Sequence, residues 1–273
     1  MTLVGLVREV VGKDGFICAF MATGLEFKGV VQFVKQTCHE LGVPLIISNP
    51  GMYKGNFFKR LEQFRRFPLM KGPQWCCRDL KLRPQKKLLQ KEFGRGATLY
   101  KLEGIRRSES ARRKYIYKEY TESLMRPDSE HKGSFEVFPL LNWSDADVLN
   151  YLEMKGMKTS GLYKRFGVSG CAWCPFYTVG IYREILREVP SQFDRVIEME
   201  DKLGQPSVAG NIYLGDIKAE VVNGVPLPVP VVDEEGRGGR PCTMMMEGKE
   251  VRTCEVYGHF FVEGHCFRCG EKE

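Results

Sequence analysis

Paired cysteines are the chemically distinctive residues of this 273-residue chain. Cys76 and Cys77 are adjacent, and Cys171 and Cys174 enclose an Ala-Trp dipeptide. Together they offer four thiolates, the number that iron–sulfur clusters commonly take. A tetrathiolate zinc site, or a redox-active Cys-x-x-Cys beside an unrelated cysteine pair, would also account for them. The pattern favours a 4Fe-4S cluster over these alternatives.

A second cysteine group lies near the end of the chain. It consists of Cys242, Cys254, Cys266 and Cys269, with His259 and His265 between them. A Cys-x-x-Cys with two further ligands predicts a tetrahedral zinc site, and the same residues are candidates for a redox or sulfur-transfer tail or for unliganded thiols. Cys18 and Cys38 occur in apolar patterns instead and are predicted to be core residues.

Composition narrows the class of protein. The chain has ten cysteines but no secretory signal pattern, so we expect a cytoplasmic protein with reduced thiols rather than disulfides. No apolar run approaches the ~20 residues that cross a bilayer, which predicts no membrane partner. The net charge of +7 favours anionic partners, either a nucleotide or a nucleic acid.

The elements that must position these cysteines alternate between strands and helices. Strand patterns are Phe16–Met21, Pro44–Ser48, Ala97–Leu102 and Phe135–Leu140; helical patterns are residues 3–11, 28–41, 56–67 and 144–155. This alternation predicts an α/β fold with a mainly parallel sheet and helices on both faces. We predict a domain over 1–221, a Pro/Gly-rich linker over 222–241 and a small Cys/His-rich unit over 242–273.

Arginines follow the third strand pattern. Arg106, Arg107 and Arg112 lie where open α/β sheets bind ligands, and guanidinium groups contact phosphate or sulfate in a bidentate manner. Ser110 adds a hydroxyl group. The alternative is that these are solvated charges of a helix.

Five segments resemble the phosphoadenosine-phosphosulfate reductase family, and they occur in that family's order. They are Thr23–Phe27, Trp75–Arg78, Gly104–Ser110, Pro139–Trp143 and Ser169–Pro175. The paired cysteines resemble the iron–sulfur, adenylyl-sulfate reductase-like branch. The family belongs to the adenine nucleotide α-hydrolase superfamily, which also contains ATP-dependent enzymes that insert sulfur into nucleic acid.

The resemblance implies a site and a reaction. The implied nucleotide-binding residues are Thr23, Gly24, Leu25, Glu26, Gly104, Arg106, Arg107, Ser110 and Arg112. The implied activity is oxidoreduction of adenylyl sulfate or phosphoadenylyl sulfate, in which a tail thiolate, Cys254 or Cys266, attacks sulfur and a thioredoxin-type thiol completes the reduction. A homo-oligomer is compatible with this resemblance.

The chain departs from the family pattern in two places. No SGGKDS-type phosphate loop precedes the first helical pattern, and Gly12–Gly15 lies before the second strand of the family pattern, so it is not that loop. Ala22 stands where a carboxylate often occurs. These departures imply weak nucleotide binding, and they keep open two other functions: an ATP-dependent sulfur-insertion enzyme acting on nucleic acid, and a non-catalytic partner subunit.

Overall fold

The structure is a computed structural model of the chain, and it divides into two compact units. The described residues are 1–49, 55–68, 74–109, 111–120, 124–168, 170–208, 212–227, 261–262 and 265–266. Unit 1 comprises Met1–Phe57 and Trp75–Gly161, and unit 2 comprises Phe58–Gln74 and Leu162–Glu273.

Unit 1 alternates helices and strands and contains every strand that lies before residue 227 in the described chain. Its helices are α1 Thr2–Val11, α2 Val30–Glu40, α4 Trp75–Cys77, α5 Arg83–Phe93, α6 Ala111–Ile116 and α7 Asp145–Met154; α3, Phe57–Phe64, begins at its boundary. Its strands are β1 Cys18–Met21, β2 Leu45–Ser48, β3 Tyr100–Leu102, β4 Met125–Pro127 and β5 Phe135–Val137. The predicted α/β class is therefore confirmed.

The strands of unit 1 form two separate sheets. In one, β1 pairs with β2 in parallel, with Cys18 opposite Leu45. In the other, β5 lies between β3 and β4, parallel to β3 and antiparallel to β4. Among the described residues no strand joins β1 to β3, so each of these two strands is an edge of its sheet.

Local signals in the sequence set several of the helix ends. Gly12 follows α1 with a φ of 77°, a conformation that glycine adopts without strain. Ser144 caps α7 in a reciprocal arrangement: its hydroxyl accepts the Asp147 N–H, while the Asp147 carboxylate accepts the Ser144 N–H. The boundaries predicted for α1, α2, α3 and α7 are confirmed to within a few residues.

The three-stranded sheet has its charged face buried and its apolar face partly exposed. Lys101 and Glu136 are directly opposite across β3 and β5, and their Nζ and Oε1 atoms are 3.5 Å apart. Arg126 on β4 pairs with the other side of the same carboxylate, at 2.5 Å. Tyr100, by contrast, is 61% exposed on the opposite face. Ion pairing across strands therefore takes the place of an apolar layer on the buried face.

Helices form the described part of unit 2 apart from the terminal strands and one isolated β-bridge. They are α8 Leu162–Phe166, α9 Val179–Glu188, α10 Asp194–Leu203 and α11 Leu214–Asn223. The core between them is made by fully buried side chains, among them Tyr182, Ile185, Leu186, Leu214 and Ile217. Near the end of the chain, β6 Phe261–Val262 and β7 His265–Cys266 form an antiparallel pair.

A buried carboxylate holds the beginning of α11 in unit 2. Glu200 is 1% exposed, and its carboxylate accepts the backbone N–H groups of Ser207 at 2.8 Å, Leu214 at 2.8 Å and Gly215 at 3.1 Å. Two of these donors belong to the first turn of α11, where N–H groups lack partners within the helix. Glu200 therefore replaces a local cap, and it does so from a different helix.

None of the helices in the described part of the chain is both long and apolar enough to cross a membrane.

Replacing Glu200 by Gln should destabilise unit 2. The amide would present an N–H₂ group to backbone donors, leaving buried N–H groups unpaired at a cost of about 1–3 kcal/mol. We expect urea denaturation to show this loss in the free energy of unfolding. Glu198→Gln, an exposed site on the same helix, should change it little. Equal stability of the two variants would contradict the assigned role of Glu200.

Candidate functional site

The first cysteine pair lies on a helix whose backbone changes type immediately afterwards. Cys76 and Cys77 end α4, and Arg78–Leu82 continue it as a π-helix before α5 begins at Arg83. π-Helical turns are rare and are found frequently at functional sites. Cys76 is half-buried and Cys77 is exposed. The adjacent thiols therefore sit at a widened turn inside a longer helical segment.

Two contacts fix this segment within unit 1. Trp75 is buried and its ring stacks on Phe57 with centroids 5.3 Å apart. Asp79 has a fully buried side chain, and its Oδ1 atom accepts hydrogen bonds from Arg78 Nε and Arg83 Nη1, both at 2.9 Å. Because Arg78 and Arg83 lie at the two ends of the π-helix, the Asp79 carboxylate ties those ends together.

Two tyrosines hold the second cysteine pair within unit 2. The Tyr177 hydroxyl donates to the Cys171 carbonyl at 2.6 Å, and the Tyr182 hydroxyl donates to the Cys174 carbonyl at 2.7 Å. The Cys174 carbonyl also accepts the Tyr177 N–H at 2.9 Å. These hydroxyl groups bind backbone oxygens and so fix the turn between the cysteines.

The same tyrosines are anchored by α9. Thr178 caps this helix, and its side chain accepts the Ile181 N–H at 3.2 Å. Tyr182 is fully buried and packs edge-on against Phe193, with ring centroids 5.4 Å apart. Burial, reinforced by the nearby Cys174, raises the pKa of the Tyr182 hydroxyl well above its ordinary value, so it stays a donor at neutral pH.

The four candidate cluster ligands are divided between the units. Cys76 and Cys77 belong to unit 1, while Cys171 and Cys174 belong to unit 2 and are half-buried. Across the described ranges, no group of three or more His, Cys, Asp or Glu side chains is arranged to hold a metal ion. The four thiols nevertheless have the chemistry of a cluster donor set.

Cys18 and Cys38 behave differently from the paired cysteines. Cys38 is buried and Cys18 is half-buried, and burial raises the pKa of the Cys18 thiol to about 12 and also raises that of Cys38. Thiols in this state are poor nucleophiles at neutral pH. Both are therefore packing residues, as predicted.

The turn after β1 is stabilised by its own glutamate. Glu26 Oε1 accepts the N–H and the hydroxyl of Thr23, each at 2.7 Å, and Oε2 accepts the Gly24 N–H at 3.0 Å. Gly24 has a φ of 83°, which favours glycine, and Leu25 is buried. The predicted nucleotide-binding residues of this turn therefore form a compact loop, in which the Glu26 carboxylate accepts the backbone N–H groups of Thr23 and Gly24.

The loop after β3 contacts the segment that leads into α7. Arg106 is 5% exposed, and its Nη1 donates to Asp145 Oδ1 at 2.6 Å, while its Nε lies 3.5 Å from Glu109 Oε1. The Ser108 hydroxyl donates to the Trp143 carbonyl at 3.0 Å. Two motifs that are far apart in sequence, Gly104–Ser110 and Pro139–Trp143, therefore meet in unit 1.

Arg107 joins backbone segments rather than pointing to open solvent. Its guanidinium donates to the carbonyls of Tyr117, at 3.0 Å, and Tyr120, and to the side chain of Asn142. Three of its five N–H donors are therefore already used within unit 1. Gly104 packs beside Leu3, whose Cδ2 atom would lie 3.9 Å from an added Cβ.

Several predicted residues lie outside this description. Ser110, the side chain of Arg112, Cys242, Cys254 and Cys269 are not among the described residues, and Cys266 is described only as backbone in β7. Their predicted roles stay predictions. The sequence analysis missed Asp79, Asp145, Tyr177 and Tyr182. For the tyrosines a signal existed, because two aromatic hydroxyls follow the Cys-x-x-Cys within eight residues.

Comparison with known proteins identifies a family and several relatives to which this chain is similar. The profile of the phosphoadenosine phosphosulfate reductase domain matches residues 1–185. An uncharacterized protein of Methanocaldococcus jannaschii is 28% identical over 193 residues, covering 70% of this chain and 43% of the relative. The adenosine 5′-phosphosulfate reductase of Geobacillus thermodenitrificans is 27% identical over 178 residues, covering 64% of this chain and 67% of the relative.

A solved structure is also similar. The phosphoadenylyl-sulfate reductase of Candida auris, determined as a phosphate complex, superposes with a TM-score of 0.42 at 16% identity, covering 62% of this chain and 73% of that one. The chain thus spans less than half the length of its archaeal relative and about two thirds of the Geobacillus enzyme.

Replacing Asp145 by Asn should show whether Arg106 binds an anion. Asp145 is an exposed partner of a buried guanidinium, and exposed ion pairs contribute about 0.2–1 kcal/mol, so its removal should raise sulfate affinity roughly 2–5-fold. Calorimetric titration with sulfate measures the change. Glu153→Gln, exposed on the same helix, is the control and should leave affinity unaltered. Unchanged affinity in Asp145→Asn would assign Arg106 a purely structural role.

Proposed function

The chain belongs to the phosphoadenosine phosphosulfate reductase domain family, and from this membership we propose that it is a sulfonucleotide reductase-like protein with an iron–sulfur site at Cys76, Cys77, Cys171 and Cys174. The family profile spans residues 1–185 and so includes all four cysteines. The observation that carries the proposal is that each cysteine pair lies on a fixed backbone segment: Asp79 closes the turn after Cys77, and tyrosine hydroxyls hold the carbonyls of Cys171 and Cys174.

The donor set supports a cluster rather than isolated thiols. Asp79 holds the turn after Cys77, and Tyr182 holds the carbonyl of Cys174, so each pair is preorganised within its own unit. Preorganised ligands lose less conformational freedom when a metal binds. Cys77 is exposed and the other three cysteines are half-buried. Iron and sulfide therefore have access to the thiols during assembly.

A cluster at these cysteines would supply a local redox-active charge, with properties set by hydrogen bonds and solvent exposure around its sulfurs. The chain's own residues supply anion recognition. Arg106 is held by carboxylates at its present position, and a sulfonucleotide phosphate or sulfate offers oxygens that accept the same guanidinium N–H groups. On binding, the anion would replace Asp145 as the partner of the Arg106 guanidinium. This exchange accounts for the acidic partner of a cation that is otherwise buried.

The proposed chemistry is transfer of a sulfonyl group to sulfur. A cysteine thiolate attacks the sulfur atom of adenylyl sulfate, the sulfur–oxygen bond to the phosphate breaks, and adenosine monophosphate leaves with the electron pair. The resulting thiosulfonate carries two oxidising equivalents. A dithiol of the thioredoxin type then reduces it, releasing sulfite and restoring the thiol while the dithiol becomes a disulfide. The candidate nucleophiles are Cys254 and Cys266.

Anaerobically purified protein should contain about four irons per chain, together with acid-labile sulfide. Cys174→Ser should lose more than half of the iron and the associated visible absorption, because it removes one of the four ligands. Cys18→Ala, at a packing cysteine of β1, is the matched control and should retain both. Equal iron in the two variants would contradict this ligand assignment.

The reaction can be distinguished from sulfur insertion by its product. With dithiothreitol as reductant, adenylyl sulfate should yield sulfite, and ATP should yield no pyrophosphate. Pyrophosphate release from ATP without sulfite formation would instead identify the ATP-dependent sulfur-insertion class. Absence of both products from iron-loaded protein would favour a non-catalytic partner subunit.

Replacing Tyr182 by Phe should weaken retention of the cluster without unfolding unit 2. The substitution keeps the buried ring but leaves the Cys174 carbonyl with only its Tyr177 partner, so the turn between the cysteines loosens. We expect iron to be lost to a chelator about 10-fold faster than from the unmodified protein. Tyr213→Phe, a half-buried tyrosine outside the turn, is the control. Identical chelation rates would show that Tyr182 has no role toward the cluster.

A further inference from the structure

Helix α5 presents a basic face that the candidate sulfonucleotide site does not use. With 3.6 residues per turn, Arg83, Lys87 and Lys91 follow one another along one side, and Lys86 flanks them. The opposite side is buried through Pro84, Leu88 and Leu89. The outer face of this amphipathic helix is therefore positively charged along its full length.

The acidic residues of α5 do not neutralise this face. Glu92 is the single carboxylate in the helix sequence, and around the helix axis it lies about 140° from Lys87 and about 100° from Lys91. Lys86, Lys91 and Arg95 have no carboxylate within 4.0 Å in the described part of the chain. Lys86, Lys91 and Arg95 therefore carry charge that no described carboxylate neutralises, whereas Arg83 is paired with Asp79.

Cations on the helices of unit 2 differ from those on α5. Arg183 pairs with Glu220 at 2.8 Å, and Lys218 pairs with Asp194 at 2.5 Å. Arg165 and Arg187 likewise contact glutamates. Exposed lysines that only solubilise a helix are commonly interspersed with acids in this way. A surface on which several cations have no such acid beside them is typical of surfaces that bind a polyanion.

The loop after α5 extends the basic surface and adds an aromatic ring. Phe93 is 40% exposed at the end of the helix, and exposed Arg95 lies between Gly94 and Gly96. A Cβ atom built on either glycine would meet no heavy atom within 4 Å, so the space beside this backbone is open. A phosphate group can therefore approach both the backbone and the guanidinium of Arg95.

We propose that α5 and the Gly94–Gly96 loop bind single-stranded nucleic acid. Lys86, Lys91 and Arg95 can contact phosphates at this end of the helix, while Phe93 offers a surface for base stacking. An acidic protein would satisfy the lysines but would make no use of an exposed phenyl ring beside an open glycine loop. The combination of charge and aromatic surface favours nucleic acid.

The basic stretch Lys54–Arg66 is a second candidate for nucleic-acid contacts, but it is less suitable. Arg60 is 6% exposed, and its guanidinium lies 4.2 Å from the centre of the Phe64 ring. Lys54 lies outside the described residues, and Glu62 on the same helix contacts Lys202 at 3.1 Å. The charges of α3 are thus partly buried or mixed with acid, unlike those of α5.

The test is fluorescence anisotropy of the full chain with labelled single-stranded 20-mers of RNA and DNA over a series of salt concentrations. The triple variant Lys86→Glu, Lys87→Glu, Lys91→Glu should lose affinity at low salt by at least ~10-fold. Its slope of log affinity against log salt should fall by about 2, because each phosphate contact to a single strand contributes about 0.7. Preference for RNA or DNA in these titrations identifies which nucleic acid is bound.

A second triple variant serves as the control for net charge. Lys28→Glu, Lys35→Glu, Lys158→Glu reverses three exposed lysines of unit 1 that lie outside α5, and it should retain most of the affinity. Phe93→Ala should weaken binding about fivefold or more with an unchanged salt slope, since stacking is independent of counterion release. Circular dichroism establishes that all variants are folded.

Three results would overturn the inference. The first is an equal loss of affinity in the two triple variants. The second is binding of poly-glutamate as tight as that of the 20-mers. The third is that Phe93→Ala has no effect and that the protein binds duplex and single-stranded 20-mers with equal affinity. Because none of these substitutions affects a cysteine or Arg106, iron content and sulfite formation should be unchanged in every variant. Failure of the sulfonucleotide proposal is therefore distinguishable from failure of this one.

Discussion

Arg107 is the residue on which the architecture of the predicted nucleotide region depends. Its guanidinium binds the carbonyls of Tyr117 and Tyr120 just beyond α6, and its own N–H donates to the Leu141 carbonyl at 3.0 Å. Carbonyls at a helix C-terminus lack partners within the helix and carry partial negative charge, so a permanently charged donor suits them. The side chain and backbone of this one residue together join three segments of unit 1, and the adjacent Arg106 pairs with Asp145.

The buried ionic face of the three-stranded sheet adds a second constraint. Burying Lys101 and Glu136 costs solvation free energy, which only pairing with good geometry offsets. A shift of the register by one residue would turn these charges to the other face and bring Tyr100 inward. Because Arg126 and Asp128 on and beside β4 complete the pairing, the register is specified by charge rather than by apolar packing. The loop that carries Arg106 begins directly after this sheet, so its position depends on that register.

The two cysteine pairs illustrate different ways of preparing a ligand. Around Cys77 the backbone itself changes to a π-helix, closed by the buried carboxylate of Asp79. Around Cys174 the turn is held from outside, by tyrosine hydroxyl groups anchored in a helix core. In both cases the backbone is fixed by bonds to carboxylate or carbonyl oxygens, and surrounding bonds of this kind orient a metal ligand. The same continuous helical segment that presents Cys77 also carries the basic face of α5, so two surfaces of different chemistry share one rigid element.

The sequence by itself determined the α/β class, the family, the positions of β1, β2, α1, α2 and α7, and the packing role of Cys38, because apolar periodicity and local caps act over a few residues. It also predicted which cysteines and arginines form the site, and those assignments stay predictions. Only the tertiary structure decided that Arg106 pairs with Asp145, 39 residues away, and that Glu200 caps a helix that begins 14 residues later. The sequence pattern likewise gave no sign of the π-helix, or of the three-stranded sheet whose charged face is buried. Each depends on which groups are buried together. Buried charges and buried backbone N–H groups need partners because they have lost water, and the local spacing of residues does not reveal which partners they find.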